Sequence, residues 1–226
     1  AAGTLTATDV LTTGGNMVLR TTTGGLVATL VDASGSVSID ADAGNVTVGS
    51  VTAGTTAGLN ADSGDIVDSA DDTLVDITAG GLITLAASGD IDGPTAAGGD
   101  PQDALELAAG STVTATAGSG RRIVLQAPGL LTVDGASVAG AGTVSVFADD
   151  LDVTDTIAAN RVIIAPFTGG NTIGIAGGAG ALALSAADIN FIDAAASLRL
   201  GELDSGLITL GAWTPAAAVA GGGTIT

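Results

Sequence analysis

The sequence predicts an all-β fold, a right-handed parallel β-helix: a solenoid of roughly ten coils of about 20 residues each. Three observations predict it. One short phrase recurs along the whole chain. Within the phrase apolar and polar residues alternate with period two. The apolar residues are almost all Ala, Val, Leu and Ile, with three Phe, one Trp and no Tyr in 226 residues.

The phrase is a Gly or small residue, an alternating stretch, and a turn rich in Ala, Asp, Ser and Gly. It reads GSVSIDADAG at Gly35 to Gly44, GNVTVGSVTAG at Gly44 to Gly54, GLITLAASG at Gly81 to Gly89 and STVTATAGSG at Ser111 to Gly120. It returns as GLLTVDGASVAG (Gly129 to Gly140), GTVSVFADD (Gly142 to Asp150), GALALSAADIN (Gly180 to Asn190) and GLITLGAWTP (Gly206 to Pro215). Val37, Ile39 and Ala41 share one face of the first phrase, opposite Ser36, Ser38 and Asp40. In GTVSVFADD the inner set is Val144, Val146 and Ala148, and the outer set Thr143, Ser145 and Phe147. Such alternation marks strands with one buried face. The start-to-start spacing of neighbouring phrases is close to half a solenoid repeat, so two phrases make one coil. A sandwich of hairpins would give similar spacing, but its strands rarely resemble one another, and hairpin dipeptides are few here (Asp92-Gly93, Asp134-Gly135). Stacking at about 4.8 Å per coil gives a rod of about 50 Å.

Residues 1–226 read as one repeat domain, expected to be an excerpt of a longer chain. Two places break the rhythm. DGPTAAGGDPQ, Asp92 to Gln102, reads as a loop projecting from one coil, and SGDIVDSADDTLVD, Ser63 to Asp76, is irregular and dense in Asp. Helical readings are confined to Asp103 to Ala109 (DALELAA) and Ala216 to Ala220.

Composition excludes several functions. Five Arg, no Lys and 24 Asp and Glu leave a net charge of −19, which repels nucleic acid and anionic membrane surfaces. No apolar stretch approaches the length of a membrane span. Without Cys there is no disulfide or thiol chemistry, and without His no Ser–His nucleophile. The 46% of hydrophobic residues argues against disorder despite the acidity.

The run NRVIIAPFTGGNTIGIAGGAGALALSAADINFIDAAASLRLGELDSGLITLGA, Asn160 to Ala212, resembles the repeat region of large bacterial exoproteins of the filamentous haemagglutinin type, secreted by two-partner systems. GRRIVLQAPGLLTVDGASV, Gly120 to Val138, is similar in style. The resemblance implies a β-helix, export with an outer-membrane transporter as partner, a secreted or cell-surface location, and roles in adhesion or biofilms. Expected partners are surface glycans or proteins of a host or neighbouring cell, or copies of the chain itself.

Among chemical sites, calcium is the first candidate, since it favours carboxylate oxygens. One acidic group holds Asp62, Asp65, Asp68, Asp71, Asp72 and Asp76, and a second holds Asp149, Asp150, Asp152 and Asp155. Neither follows a calcium motif: GGAGALALS, Gly177 to Ser185, places Leu182 where the β-roll repeat needs Asp. Solvated turn aspartates are the simpler reading, and no cofactor is expected. Glycan cleavage, the alternative activity for such a scaffold, would need two carboxylates near a basic residue, as Asp149, Asp150 and Asp152 with Arg161. With so few aromatic rings to stack on sugars, the chain reads as no enzyme. Gly169 to Gly180 superficially matches a phosphate loop but precedes no helix, and reads as tight corners. Thr112, Thr114 and Thr116 alternate outward without persisting from coil to coil. Arg121, Arg122, Phe147, Phe167 and Trp213 are the exposed groups a partner would touch.

Overall fold

A computed structural model of the chain describes residues 3–70, 74–92, 104–202 and 204–212, and the backbone of 224–225. The strands are parallel and stack in long columns, forming a solenoid-like all-β body. Three columns run side by side. The first holds Leu5–Ala7, Leu26–Ala28, Val46–Val48, Ile66–Asp68 and Ile91–Asp92. The second holds Val10–Thr12, Val31–Ala33, Val51–Ala53 and Ile77–Ala79. The third holds Met17–Thr21, Val37–Ala41, Ala57–Ala61, Leu82–Ala87 and Ser111–Ala117. Two long strands, Arg122–Val138 and Thr143–Ala165, then pair with each other and bend through register shifts that let one strand serve more than one column.

The repeat length is visible in the register. Leu26 pairs with Val46, Val37 with Ala57, and Val31 with Val51, the same offset of twenty positions in all three columns. Identical positions therefore stack, and the inward set forms ladders. Leu26, Val46, Ile66, Ile91, Ile123 and Val144 make one, all fully buried. Ile39, Leu59, Leu85 and Ala115 make another. Each coil buries its apolar face only against its neighbours, so stability accumulates along the stack.

The coil corners explain the recurrent glycine. The Asn45 side-chain oxygen accepts the Asp65 N–H (3.1 Å), Asp65 accepts the Asp90 N–H (2.9 Å), and Asp90 accepts the Arg122 N–H (2.7 Å). Each coil thus satisfies a corner donor of the next, as buried or half-buried N–H groups require. The residue just before the first two of these donors must leave room. A Cβ on Gly64 would lie 2.3 Å from the Gly44 carbonyl oxygen and 2.7 Å from Asn45 Oδ1, and one on Gly89 would lie 1.9 Å from Asp65 Oδ1.

The regular offset lengthens at three places. Val48 to Val51 takes three steps, but Asp68 to Ile77 takes nine in the next coil, so six residues are inserted at residues 69–76, within the stretch the sequence marks as irregular. Ile91 pairs with Ile123, an offset of thirty-two positions, whereas Leu105 pairs with Leu125 at the regular offset. Twelve residues are therefore inserted between Asp92 and Leu105. Both roots pair with one uninterrupted strand below. The sequence places a projecting loop at Asp92 to Gln102; residues 93–103 lie outside the described residues. Further on, Ile157 pairs with Ile192, an offset of thirty-five positions. That interval carries the paired strands Ile173–Ile175 and Leu182–Leu184 and the short helix Ala186–Asn190, and a strand beyond it, Ile208–Leu210, pairs with Ile173–Ile175 to complete a small sheet.

Three expectations need correction. DALELAA is not helical where it is described: Leu105–Glu106 is a strand, because Leu105 and Leu107 enter the core ladders and pairing overrides local helix propensity. The reading of residues 216–220 lies outside the described residues. The helix that does form, Ala186–Asn190, falls inside a phrase read as strand; Ser185 and Asp188 form a capping box, and Asp188 Oδ1 also accepts the Val153 N–H (3.1 Å). Ser145 and Phe147, assigned to the outer face, are buried, as are Val124 and Gln126 on the same side. Phe147 packs with Ala104, Val124 and Ala165 in a second apolar cluster outside the main core, so the sheet is covered on both faces here.

Candidate functional site at the acidic corner

The densest polar chemistry in the interior lies where the two insertions leave and rejoin the solenoid. Asp68 ends the strand Ile66–Asp68 and occupies an inward ladder position above Val48 and Ala28. Its Oδ1 accepts the Ala70 N–H at 3.0 Å, a turn that starts the six-residue insertion. Asp76 closes that insertion, immediately before Ile77–Ala79, and its carbonyl accepts the Val51 N–H at 2.6 Å. Glu106 follows the twelve-residue insertion. Its carbonyl accepts the Asp76 N–H (3.0 Å), and its N–H donates to Asp76 Oδ2 (2.9 Å). Glu106 stacks in register over Gln126, whose amide donates to Glu106 Oε1.

The three carboxylates converge. One oxygen from each lies within 4.8 Å of the other two, and the residues are only 4%, 3% and 2% exposed. Glu106 Oε2 is buried with no hydrogen-bond partner among the described residues. Three ionised carboxylates cannot share so dry a corner uncompensated. Burial pushes the Asp76 carboxyl up to about 10, reinforced by its side-chain contact with Glu106. Burial likewise raises Glu106 to about 7, against the opposing pull of neighbouring Asp76 and of the Gln126 amide on its Oε1. The corner therefore holds protons at neutrality or needs a cation.

Of the calcium candidates among the described residues, the structure brings Asp68 and Asp76 together. Asp65 is a corner acceptor for the Asp90 N–H. Asp62 lies with Asp40 and Asp42 in a more exposed group, where Arg20 approaches Asp40 (3.2 Å) and Asp42 (3.0 Å) and Asn60 donates to Asp40 and Asp62. Asp71 and Asp72 lie outside the described residues. The second group does not converge: Asp149 accepts from Thr168 and Asn171, Asp155 accepts the Thr156 N–H, and Asp150 and Asp152 are not buried. No ion pair links Arg161 to any of them among the described residues. Glu106 is not among the candidates read from sequence. Its signal there is an acid between two core leucines in DALELAA.

The outer surface offers shallow grooves: one of about 400 Å³ lined by Thr116, Ser137, Ala158, Asn160 and Asp193, and one of about 300 Å³ along Ser38, Asp40, Gly58, Asn60 and Thr84. Thr84 and Thr114 stack, but Thr116 stacks between Ala86 and Ser137, so no long threonine ladder forms. Arg122 pairs with Asp92, Arg121 lies 3.9 Å from Asp90, and Phe167 is half-buried. Trp213 lies outside the described residues. No helix among the described residues is long and apolar enough to cross a membrane. No family model matches the chain, and neither a curated protein nor a solved structure matches it.

Proposed function

We propose that the chain is a stalk segment of a secreted bacterial surface exoprotein, built as a right-handed β-helix of roughly ten coils of about 20 residues. The observation that carries this reading is the constant parallel register with stacked aliphatic ladders, which makes a stiff body whose length scales with repeat number. Its work is mechanical: it holds an adhesive region away from the cell. The strongly acidic composition, with a net charge of −19, suits a spacer that stays soluble. The glycan-cleaving alternative has little support, because one converging carboxylate trio, Asp68, Asp76 and Glu106, is buried, and the more exposed one, Asp40, Asp42 and Asp62, is already engaged by Arg20 and Asn60.

A second reading is a filament of copies stacked head to tail, in which the same constant parallel register would continue from one copy to the next. Electron microscopy of native material, together with the intact mass of the denatured chain, separates the readings. Long rods from a chain far heavier than 21.2 kDa support the stalk. Long rods from a chain near that mass support the filament. Compact single particles would sink both and make glycan cleavage the next assay.

A further inference from the structure

We propose that Asp68, Asp76 and Glu106 bind a single calcium ion that pins the roots of both insertions to the solenoid core. The geometry suits that ion. The smallest circle enclosing three oxygens mutually within 4.8 Å has a radius of at most about 2.8 Å, close to the Ca–O length of about 2.3–2.6 Å. Movements of a few tenths of an ångström bring all three into contact, and calcium accepts irregular, partly bidentate carboxylate coordination, whereas magnesium needs about 2.0–2.1 Å in a near-ideal octahedron.

Proximity of acids alone would not single out this place. The second observation is Glu106 Oε2, an acceptor on a side chain only 2% exposed, beside the other two carboxylates and lacking a hydrogen-bond donor among the described residues. Buried oxygens in native folds are satisfied, and an oxygen without a donor beside two further carboxylates is what a cation satisfies. A dication also offsets two of three negative charges in a low-dielectric corner. The exposed trio Asp40, Asp42 and Asp62 differs on each point: Arg20 and Asn60 already serve it, and solvent reaches it. The three ligands come from the strand before the first insertion, the residue that closes it, and the strand after the second insertion. The ion would therefore crosslink three points separated by both excursions, where the regular register is interrupted.

The test uses the 226-residue chain, stripped with a chelator and titrated with calcium chloride near neutral pH, read by calorimetry and thermal unfolding. The expected result is one saturable site above any weak surface binding, with the unfolding constant falling about 100-fold when free calcium reaches about 100 times its Kd. Glu106→Gln and Asp68→Asn, each checked by circular dichroism for retained β structure, should lose that response, while Asp40→Asn/Asp62→Asn should keep it. If the corner variants fail to fold, terbium luminescence and an anomalous peak in wild-type crystals locate the ion directly. Absence of a saturable site, a response lost in the surface variant instead, or a terbium peak elsewhere would overturn the proposal. An equal response to magnesium would overturn the choice of calcium.

Discussion

Deleting one whole coil should leave a folded protein, and deleting one residue more should not leave an equally stable one. Removal of residues 37–56 joins Ser36 to Ala57 and takes out a single ladder offset. Met17 then stacks on Ala57, Leu19 on Leu59, Leu26 on Ile66 and Val31 on Ile77, all inward on inward. The urea m-value should fall by about one-tenth, in proportion to the chain lost. Removal of residues 37–57 instead places Gly58 and Asn60 at positions held by Val37 and Ile39 and turns Leu59 outward. Losing the buried Leu59 costs about 2 kcal/mol and burying the Asn60 amide about 1–3 kcal/mol more. The longer deletion should therefore be at least about 3 kcal/mol less stable than the shorter one by urea unfolding followed at the β-sheet circular dichroism band. Equal stability of the two would refute the register argument.

Leu59→Ala, in mid-ladder between Ile39 and Leu85, should cost about 2–5 kcal/mol by urea unfolding, whereas Leu5→Ala at the exposed end should cost under about 1 kcal/mol. At the corners, Gly64→Ala should destabilise by at least about 1–3 kcal/mol because its Cβ meets the Gly44 backbone; Gly58→Ala, with nothing within 4 Å of a Cβ, should be neutral or stabilising by thermal unfolding. In calcium-free buffer, stability should fall as pH rises from about 4 toward 7 and beyond, by up to about 1.4 kcal/mol per pH unit for each proton the folded state retains. The sign follows from Asp76 and Glu106 titrating higher folded than unfolded: facing each other, Asp68 and the Gln126 amide, they keep protons the unfolded chain has already released. Asp76→Asn should flatten that slope, and an unchanged slope would contradict the assignment.

The solenoid was legible because period two is local: Val37, Ile39 and Ala41 announce their buried face without reference to any other coil. The outer burial of Phe147 was not, since it depends on Ala104 and Ala165, which reach it only after an insertion and from another coil. DALELAA misled for a related reason, its composition favouring helix while its neighbours in space favoured a strand. Of the acidic corner, Asp68 and Asp76 were visible as a local cluster. Glu106 was not, because it is brought to them by register, across an interruption whose length only the structure reveals. Asp65 showed the converse: a carboxylate in an acidic run is employed by a backbone N–H of the following coil.

The corner bonds from Asn45 to Asp65, to Asp90, to Arg122 all run one way, with the acceptor earlier in the chain and the donor later. The backbone ladder runs both ways, since Leu26 and Val46 donate forward to the carbonyls of Asn45 and Asp65 while Thr29 and Gly49 donate back to Ala7 and Ala28. Only the corner side chains are directional: each coil turns a side-chain acceptor toward the later coil and a corner N–H toward the earlier one. The two faces of a coil are therefore chemically unlike, and a coil flipped end for end would meet its neighbour acceptor to acceptor or donor to donor at this corner.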